Sequence, residues 1–330
     1  MKRFVVDIHS HLNIPAADAL VRPHLSGHLF HAFSCPATDE VNRQLFREIG
    51  AKLNVVDARI ADMDRLGVDV QAISPVPPQM YYTVDADLGL QASRIVNDGI
   101  AEAVSKYPDR LVGLGTVPLQ APELAIQEMK RCVNELGLRG IEISSNVAGR
   151  ELAEPQFRPF FAAAEELDVL LFMHPLGFTH GQRLSEHYLN NLIGNPLEST
   201  IAVAHLIFGG VLDSYPGLKL CVAHGGGYLP TYWGRLDHAW RARADCRQHI
   251  NKPPSEYLRQ LYFDTLVFDR KHLRFLVDTY GADRLVMGTD YPFDMAEPDP
   301  VGFHQELGEA ERDKILGGNA ARLLKLNRKS

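Results

Sequence analysis

The chain has no uninterrupted apolar stretch long enough to cross a bilayer, so a helical membrane span is not expected. Lys2 and Arg3 precede a short apolar run, but Asp7 and His9 break it before it could act as a signal-peptide core. That reading points to a cytoplasmic protein. It also lacks an excess of basic charge. The formal net charge is −7, which argues against bulk binding to nucleic acid or to an anionic membrane surface. A small anionic substrate stays compatible with this charge, because a few local arginines can hold one. Cysteine is sparse: Cys35, Cys132, Cys221 and Cys246 show no CxxC pairing, so reduced thiols are expected in place of a disulfide framework. Neither an internal repeat nor a low-complexity tract is evident.

What is present is an alternation. Eight short β-rich runs recur along the 330 residues: FVVDIH near residue 4, VDVQAIS from Val68, RLVGLGTVP from Arg110, LRGIEIS from Leu138, VLLFMHP from Val169, LKLCVAHG from Leu218, LYFDTLVF from Leu261 and RLVMGTDYP from Arg284. Between them lie stretches such as PELAIQEMKRCVNELG, whose apolar residues repeat at helical spacing. Strands alternating with helices indicate parallel βα units, and eight units suggest an α/β fold of the (β/α)8 TIM-barrel type. Residues 13–58 interrupt the rhythm with weak periodicity, which reads as an insertion or lid after strand one within a single domain over residues 1–330.

Polar residues recur where these strands end. His9 and His11 are two apart, so in a strand both point the same way. Taken alone, HxH fits a ligand pair or a strand terminus reaching water. His174 ends strand five, His224 strand six and Asp290 strand eight. In a (β/α)8 barrel all these ends meet at one mouth, where active sites form. Imidazoles plus a carboxylate make a borderline N/O set suited to Zn²⁺, and also to Mn²⁺ or Fe²⁺. A cation needs three or four protein ligands and five candidates exist, which leaves one for acid–base work. His224 is assigned that role, since imidazole titrates near neutrality. Gly225 to Gly227 after it form a tight turn or allow close approach of backbone or substrate.

The set VDIHSH, HP at 174–175, AHGGG, GTDYPF and ILGGNAARLL resembles the amidohydrolase superfamily. Within it the chain is similar to the branch of α-amino-β-carboxymuconate-ε-semialdehyde decarboxylase, over most of its length. The resemblance implies a mononuclear Zn²⁺ held by His9, His11, His174 and Asp290, with His224 as catalytic acid/base. It also implies that Arg47 and Arg235 bind substrate carboxylates, the second across the interface of a homodimer or higher homo-oligomer; Arg243 is a weaker candidate of the same kind. Guanidinium groups suit this task because they clamp carboxylates with two parallel hydrogen bonds. Strand four, LRGIEISSN, lacks the lysine that bridges two metals in many relatives, although Glu142 leaves an alternative bridge open.

The chain departs from the branch pattern at HPLG (Leu176, Gly177), at Asn54-Val55-Val56 and at DMAEPDP after GTDYPF, each read as lying beside the pocket. The expected activity is therefore a metal-dependent, non-oxidative decarboxylation of a small unsaturated or aromatic carboxylate. Asp290 is an alternative proton donor. The alternatives are hydrolysis or hydration by activated water at the same site, and a non-catalytic binding barrel. His24, His28, His31 and Cys35 in the insertion are spaced like a second metal site but read better as loop residues. Tyr228, Tyr232, Trp233 and Trp240 read as core or interface aromatics.

Overall fold

The computed structural model describes residues 3–25 and 33–326. Eight parallel strands form its centre: β1 (Val6–Leu12), β2 (Val70–Pro75), β3 (Leu111–Gly115), β4 (Gly140–Ser144), β5 (Leu170–His174), β6 (Lys219–Val222), β7 (Tyr262–Asp264) and β8 (Leu285–Val286), in that spatial order. Each overlaps one of the eight runs read from sequence, with β1 and β2 extending past the ends of theirs. The two ends of the sheet meet. Ile8 N–H donates to Met287 C=O (2.9 Å) and His11 N–H to Tyr291 C=O (2.8 Å), so the chain leaving β8 pairs alongside β1 and closes the barrel.

Helices follow the strands on the outside: α3 (Val56–Leu66), α4 (Ala86–Lys106), α5 (Pro122–Asn134), α6 (Arg158–Glu166), α7 (Asn195–Phe208), α8 (Leu229–Ala242), α9 (Arg270–Tyr280) and α10 (Asn319–Leu323). Alternation along each strand divides the apolar residues into two bodies. Val6, Ile8, Ala72, Leu114, Leu170, Phe172, Cys221 and Val286 fill the barrel interior, and Ala320, Leu323 and Leu324 pack against them. The opposite parity, for example Ile73, Ile141, Ile143, Leu171 and Val222, packs against the helices. The ILGGNAARLL motif has a structural role here: Asn319 Nδ2 donates to Ala282 C=O (2.7 Å) and Leu285 C=O (2.8 Å), tying α10 to β8.

Between β1 and α3 the chain forms α1 (Pro15–Val21) and a 19-residue helix, α2 (Pro36–Asn54). Leu45, Phe46, Ile49 and Leu53 of α2 pack with Val76, just past β2, and Phe293, just past β8. Helix α2 is thus held over the end of the barrel where its strands terminate. No described helix is long and apolar enough to cross a membrane.

Candidate metal centre

The pairing of β1 with β2 shifts register between Asp7 and Ser10. Val6 and Ile8 belong to the barrel interior, and the shift lets His9 and His11 face inward directly after them. Both histidines are fully buried. His9 Nδ1 lies 2.7 Å from Asp264 Oδ2, and His11 Nδ1 lies 2.9 Å from Pro75 C=O. Both partners only accept, so each Nδ1 carries the proton and each Nε2 is left to face the mouth.

Those Nε2 atoms converge on one oxygen. Asp290 Oδ1 is 3.3 Å from His9 Nε2 and 3.2 Å from His11 Nε2, while Asp290 Oδ2 is 3.6 Å from His224 Nε2. The His174 ring centre lies 5.0 Å from those of His9 and His11 and 4.9 Å from that of His224. His9 Nε2, His11 Nε2, both nitrogens of His174 and Asp290 Oδ1 are buried without a hydrogen-bond partner among the described residues. Buried polar atoms are rarely left this way, and a cluster of them facing one point fits a cation. Ligand atoms of His9, His174, His224 and Asp290 all lie within 4.8 Å of one another. That set contains His224 in place of His11, yet His11 Nε2 stands as close to Asp290 Oδ1 as His9 does, so five donors surround the same centre.

The electrostatics favour a positive charge there. Burial alone would lower the His9 pKa, but the Asp290 and Asp264 carboxylates outweigh it and raise it to about 10. Burial likewise works against ionised Asp290, yet the surrounding imidazoles hold its carboxyl well below the usual range. His174 is kept neutral by burial, then by His224, His11 and His9, which is the form a metal requires. One layer below, the fully buried Glu142 has its pKa raised to about 7, chiefly by burial, with His11 opposing. Neither of its oxygens has a hydrogen-bond partner among the described residues.

Local backbone geometry presents these groups. His224 (φ 56°) and Asp290 (φ 61°) both occupy the left-handed region, which costs of order 1–3 kcal/mol for a non-glycine residue and persists only where the surroundings enforce it. Gly225 (φ 64°) continues the turn, and a Cβ there would meet Val267 Cγ1 at 2.4 Å. The three-glycine run is therefore a steric requirement of the turn that carries His224. Gly225 N–H also donates to Asp264 Oδ1 (2.8 Å), so one carboxylate positions both His9 and the His224 turn. Asp264 did not figure in the sequence reading, although it ends β7 just as His174 ends β5.

Behind β1 lies a second buried set that the sequence reading also missed. Asp7 accepts from His9 N–H (3.0 Å), Thr289 N–H (3.0 Å), Thr289 Oγ1 (2.6 Å) and Gln71 Nε2 (2.9 Å). Arg59 is fully buried and donates to His11 C=O (2.5 Å) and Gln71 Oε1 (2.9 Å). Its guanidinium also lies 5.2 Å from the Tyr291 ring centre. Together these bonds link the strand bearing His9 and His11 to the one that precedes Asp290.

A cleft opens above His174 and Asp290. Phe46, Phe293, Pro78 and Leu176 provide apolar walls, and Asn42, Asn191 and Asn195 provide polar ones. Of the three departures from the branch pattern, Leu176, Gly177, Asp294 and Met295 line the cleft. Asn54, Val55 and Val56 do not; they form the α2–α3 junction, where Asn54 Oδ1 accepts from Asn13 Nδ2 (2.8 Å).

The three arginines stand apart from it in the single chain. The Arg47 side chain is 67% exposed and lies 4.0 Å from Glu40. Arg235 is exposed on α8, and Arg243 is exposed with both Nε and Nη2 on Asp245. In the insertion His24 is exposed, Cys35 bonds Thr38 (3.4 Å), and His28 and His31 lie outside the described residues. Trp233 and Trp240 pack against the core, whereas Tyr228 and Tyr232 are exposed.

A model of the amidohydrolase family matches residues 6–326. The chain is 39% identical to a 2-amino-3-carboxymuconate-6-semialdehyde decarboxylase of Dictyostelium discoideum, over 91% of this chain and 84% of the relative. It superposes with TM-score 0.86 on 5-carboxyvanillate decarboxylase from Sphingomonas paucimobilis, at 26% identity over 98% of this chain and 99% of that one. It also superposes with TM-score 0.84 on a dihydroxybenzoic acid decarboxylase from Polaromonas with bound manganese and 2-nitroresorcinol, at 25% identity over 99% and 98%.

Proposed function

The chain belongs to the amidohydrolase family, and we propose that within it the protein is a metal-dependent, non-oxidative decarboxylase of a small unsaturated or aromatic carboxylate. The observation that carries this reading is the convergence of unpartnered ligand atoms from His9, His11, His174 and Asp290 at the floor of the cleft.

We assign those four residues to a single divalent cation. Zn²⁺ suits the three-imidazole, one-carboxylate set, and the manganese of the Polaromonas structure supports Mn²⁺ as the alternative. When bound, the cation supplies Lewis acidity and an electron sink beside the substrate carboxylate. His224 is the proton carrier in this scheme. It meets the second Asp290 oxygen rather than the first, and its side chain is 16% exposed where those of His9 and His11 are closed off. As the bond to the carboxyl carbon breaks, CO₂ leaves and the electron pair stays on the substrate carbon. Protonated His224 delivers its proton to that carbon, with Asp290 Oδ2 holding the imidazole in line. The apolar walls of Phe46 and Phe293 exclude water from the carbanionic centre.

Arg47 and Arg235 enter the proposal as carboxylate anchors offered from outside the cleft. Arg47 sits next to Phe46 on α2, and its contact with Glu40 is a surface pair of little strength. Arg235 and Arg243 project from α8 and the residue following it, where in a homodimer they would face a neighbouring subunit's cleft. The test is metal dependence. Protein reconstituted with Zn²⁺ or Mn²⁺ should bind one ion per chain and release CO₂ from a carboxylate panel, and a chelator should abolish both. Activity unchanged without metal would contradict the assignment.

A further inference from the structure

The lining of the cleft carries three carboxamides and, among the described residues, no lysine or arginine. Among the described residues, the charged groups lining the cleft are the carboxylates of Asp290 and Asp294. Asn42 projects from α2, Asn191 comes from the helical turn before α7, and Asn195 opens α7. Asn42 is 8% exposed, and its carboxamide has no hydrogen bond to any described residue. The Asn191 carboxamide has none either, its backbone alone being bonded, to Tyr188 C=O (2.9 Å). Asn195 Oδ1 accepts from Gly177 N–H (2.6 Å), which fixes the side chain and leaves its amide nitrogen for an occupant.

An occupant that takes water from these carboxamides has to replace the hydrogen bonds that the water makes. Each amide presents a donor and an acceptor without net charge. A second carboxylate against these amides would lose water, meet no lysine or arginine among the described residues that line the cleft, and share the cleft with Asp294. A hydroxyl, carbonyl or neutral nitrogen would satisfy the amides at no such cost.

We propose that Asn42, Asn191 and Asn195 form a specificity site for an uncharged hydrogen-bonding group on the substrate, on the side away from the carboxylate that is lost. This rests on the decarboxylase reading for which end of the substrate meets the metal ligands. The Phe46 and Phe293 rings, 6.4 Å apart and edge-to-face, would hold the planar part between the two polar ends.

The test is calorimetric binding of benzoate, 3-hydroxybenzoate and isophthalate to Mn²⁺-loaded protein. The hydroxylated probe should bind about three- to tenfold tighter than either of the others, the range one or two neutral hydrogen bonds provide. Asn42→Leu and Asn191→Leu should reduce that preference to within about twofold while benzoate affinity and bound metal stay unchanged. Asn195→Asp keeps the acceptor for Gly177, and should lose the preference without disturbing the loop. Equal binding of the three probes, no binding of any, or a preference that survives in all three variants would overturn the proposal. Loss of preference in the variants, with no carboxylate releasing CO₂, would uphold the amide site and sink the decarboxylase reading. CO₂ release with the preference intact in the variants would do the reverse.

Discussion

Asp264 Oδ2 lies 2.7 Å from His9 Nδ1, with both side chains fully buried, although 255 positions separate them in the chain. The carboxylate fixes the tautomer of His9, aims its Nε2 at Asp290 and raises the basicity of the ring. Asp264→Asn should therefore lower metal affinity or turnover by about 10–100-fold with little change in fold. Metal titration followed by circular dichroism checks this, and an unchanged affinity would remove Asp264 from the support of the site.

His224→Ala should retain one metal per chain and lose turnover by about 10²–10⁴-fold, the usual contribution of a positioned acid or base. Elemental analysis beside the rate measurement separates the roles. Loss of metal in this variant would make His224 a ligand.

The cluster of side chains at the barrel mouth is well legible in the sequence and its supports poorly so. His9, His11, His174, His224 and Asp290 were legible because a polar residue closing an apolar strand is conspicuous, and barrel topology brings strand ends together. Asp264 carries the same mark in LYFDTLVF, yet its partner is on the first strand and no local pattern announces the pairing. Helix α2 was obscured because only a narrow strip of it packs. Asn42, Leu45, Phe46, Ile49 and Leu53 share one face at helical spacing, while Val41 is 61% exposed. That same phase leaves the Arg47 side chain 67% exposed beside the face that lines the cleft. The contributions of Asn191 and Asn195 depend on how the turn after β5 folds back over the mouth, a long-range feature without periodicity.

Arg59→Met should destabilise the protein by about 2–5 kcal/mol, because it strips the donors from His11 C=O and Gln71 Oε1 inside the core. Chemical denaturation measures the loss. Since Arg59 holds the carbonyl of His11, the folded variant should also bind metal more weakly. A stable variant with full metal affinity would show that the network is dispensable.

His304 offers a pH test remote from the metal. It is buried, its Nδ1–H donates to Pro300 C=O (2.6 Å) and its Nε2 accepts from Thr265 Oγ1 (3.0 Å). Burial lowers its pKa to about 4, with the Pro300 bond opposing. The unfolded chain takes up a proton below about pH 6.5 that the fold refuses, so stability from this group is present above that pH and falls towards pH 4. The total loss is about 3 kcal/mol. His304→Gln lacks this term, and its stability gap from the parent should narrow as pH drops from 7 to 4. A constant gap would mean that His304 does not titrate as its burial implies.

The central claim is that the site breaks a carbon–carbon bond without adding water, and isotope tracing tests it most directly. Metal-reconstituted protein is incubated in H₂¹⁸O with a panel of unsaturated and aromatic carboxylates. The account predicts CO₂ and a decarboxylated product in equal amounts, with no ¹⁸O in the product skeleton and complete loss of activity on chelation. An ¹⁸O-labelled product formed without CO₂ would contradict it and assign the same residues to hydrolysis or hydration.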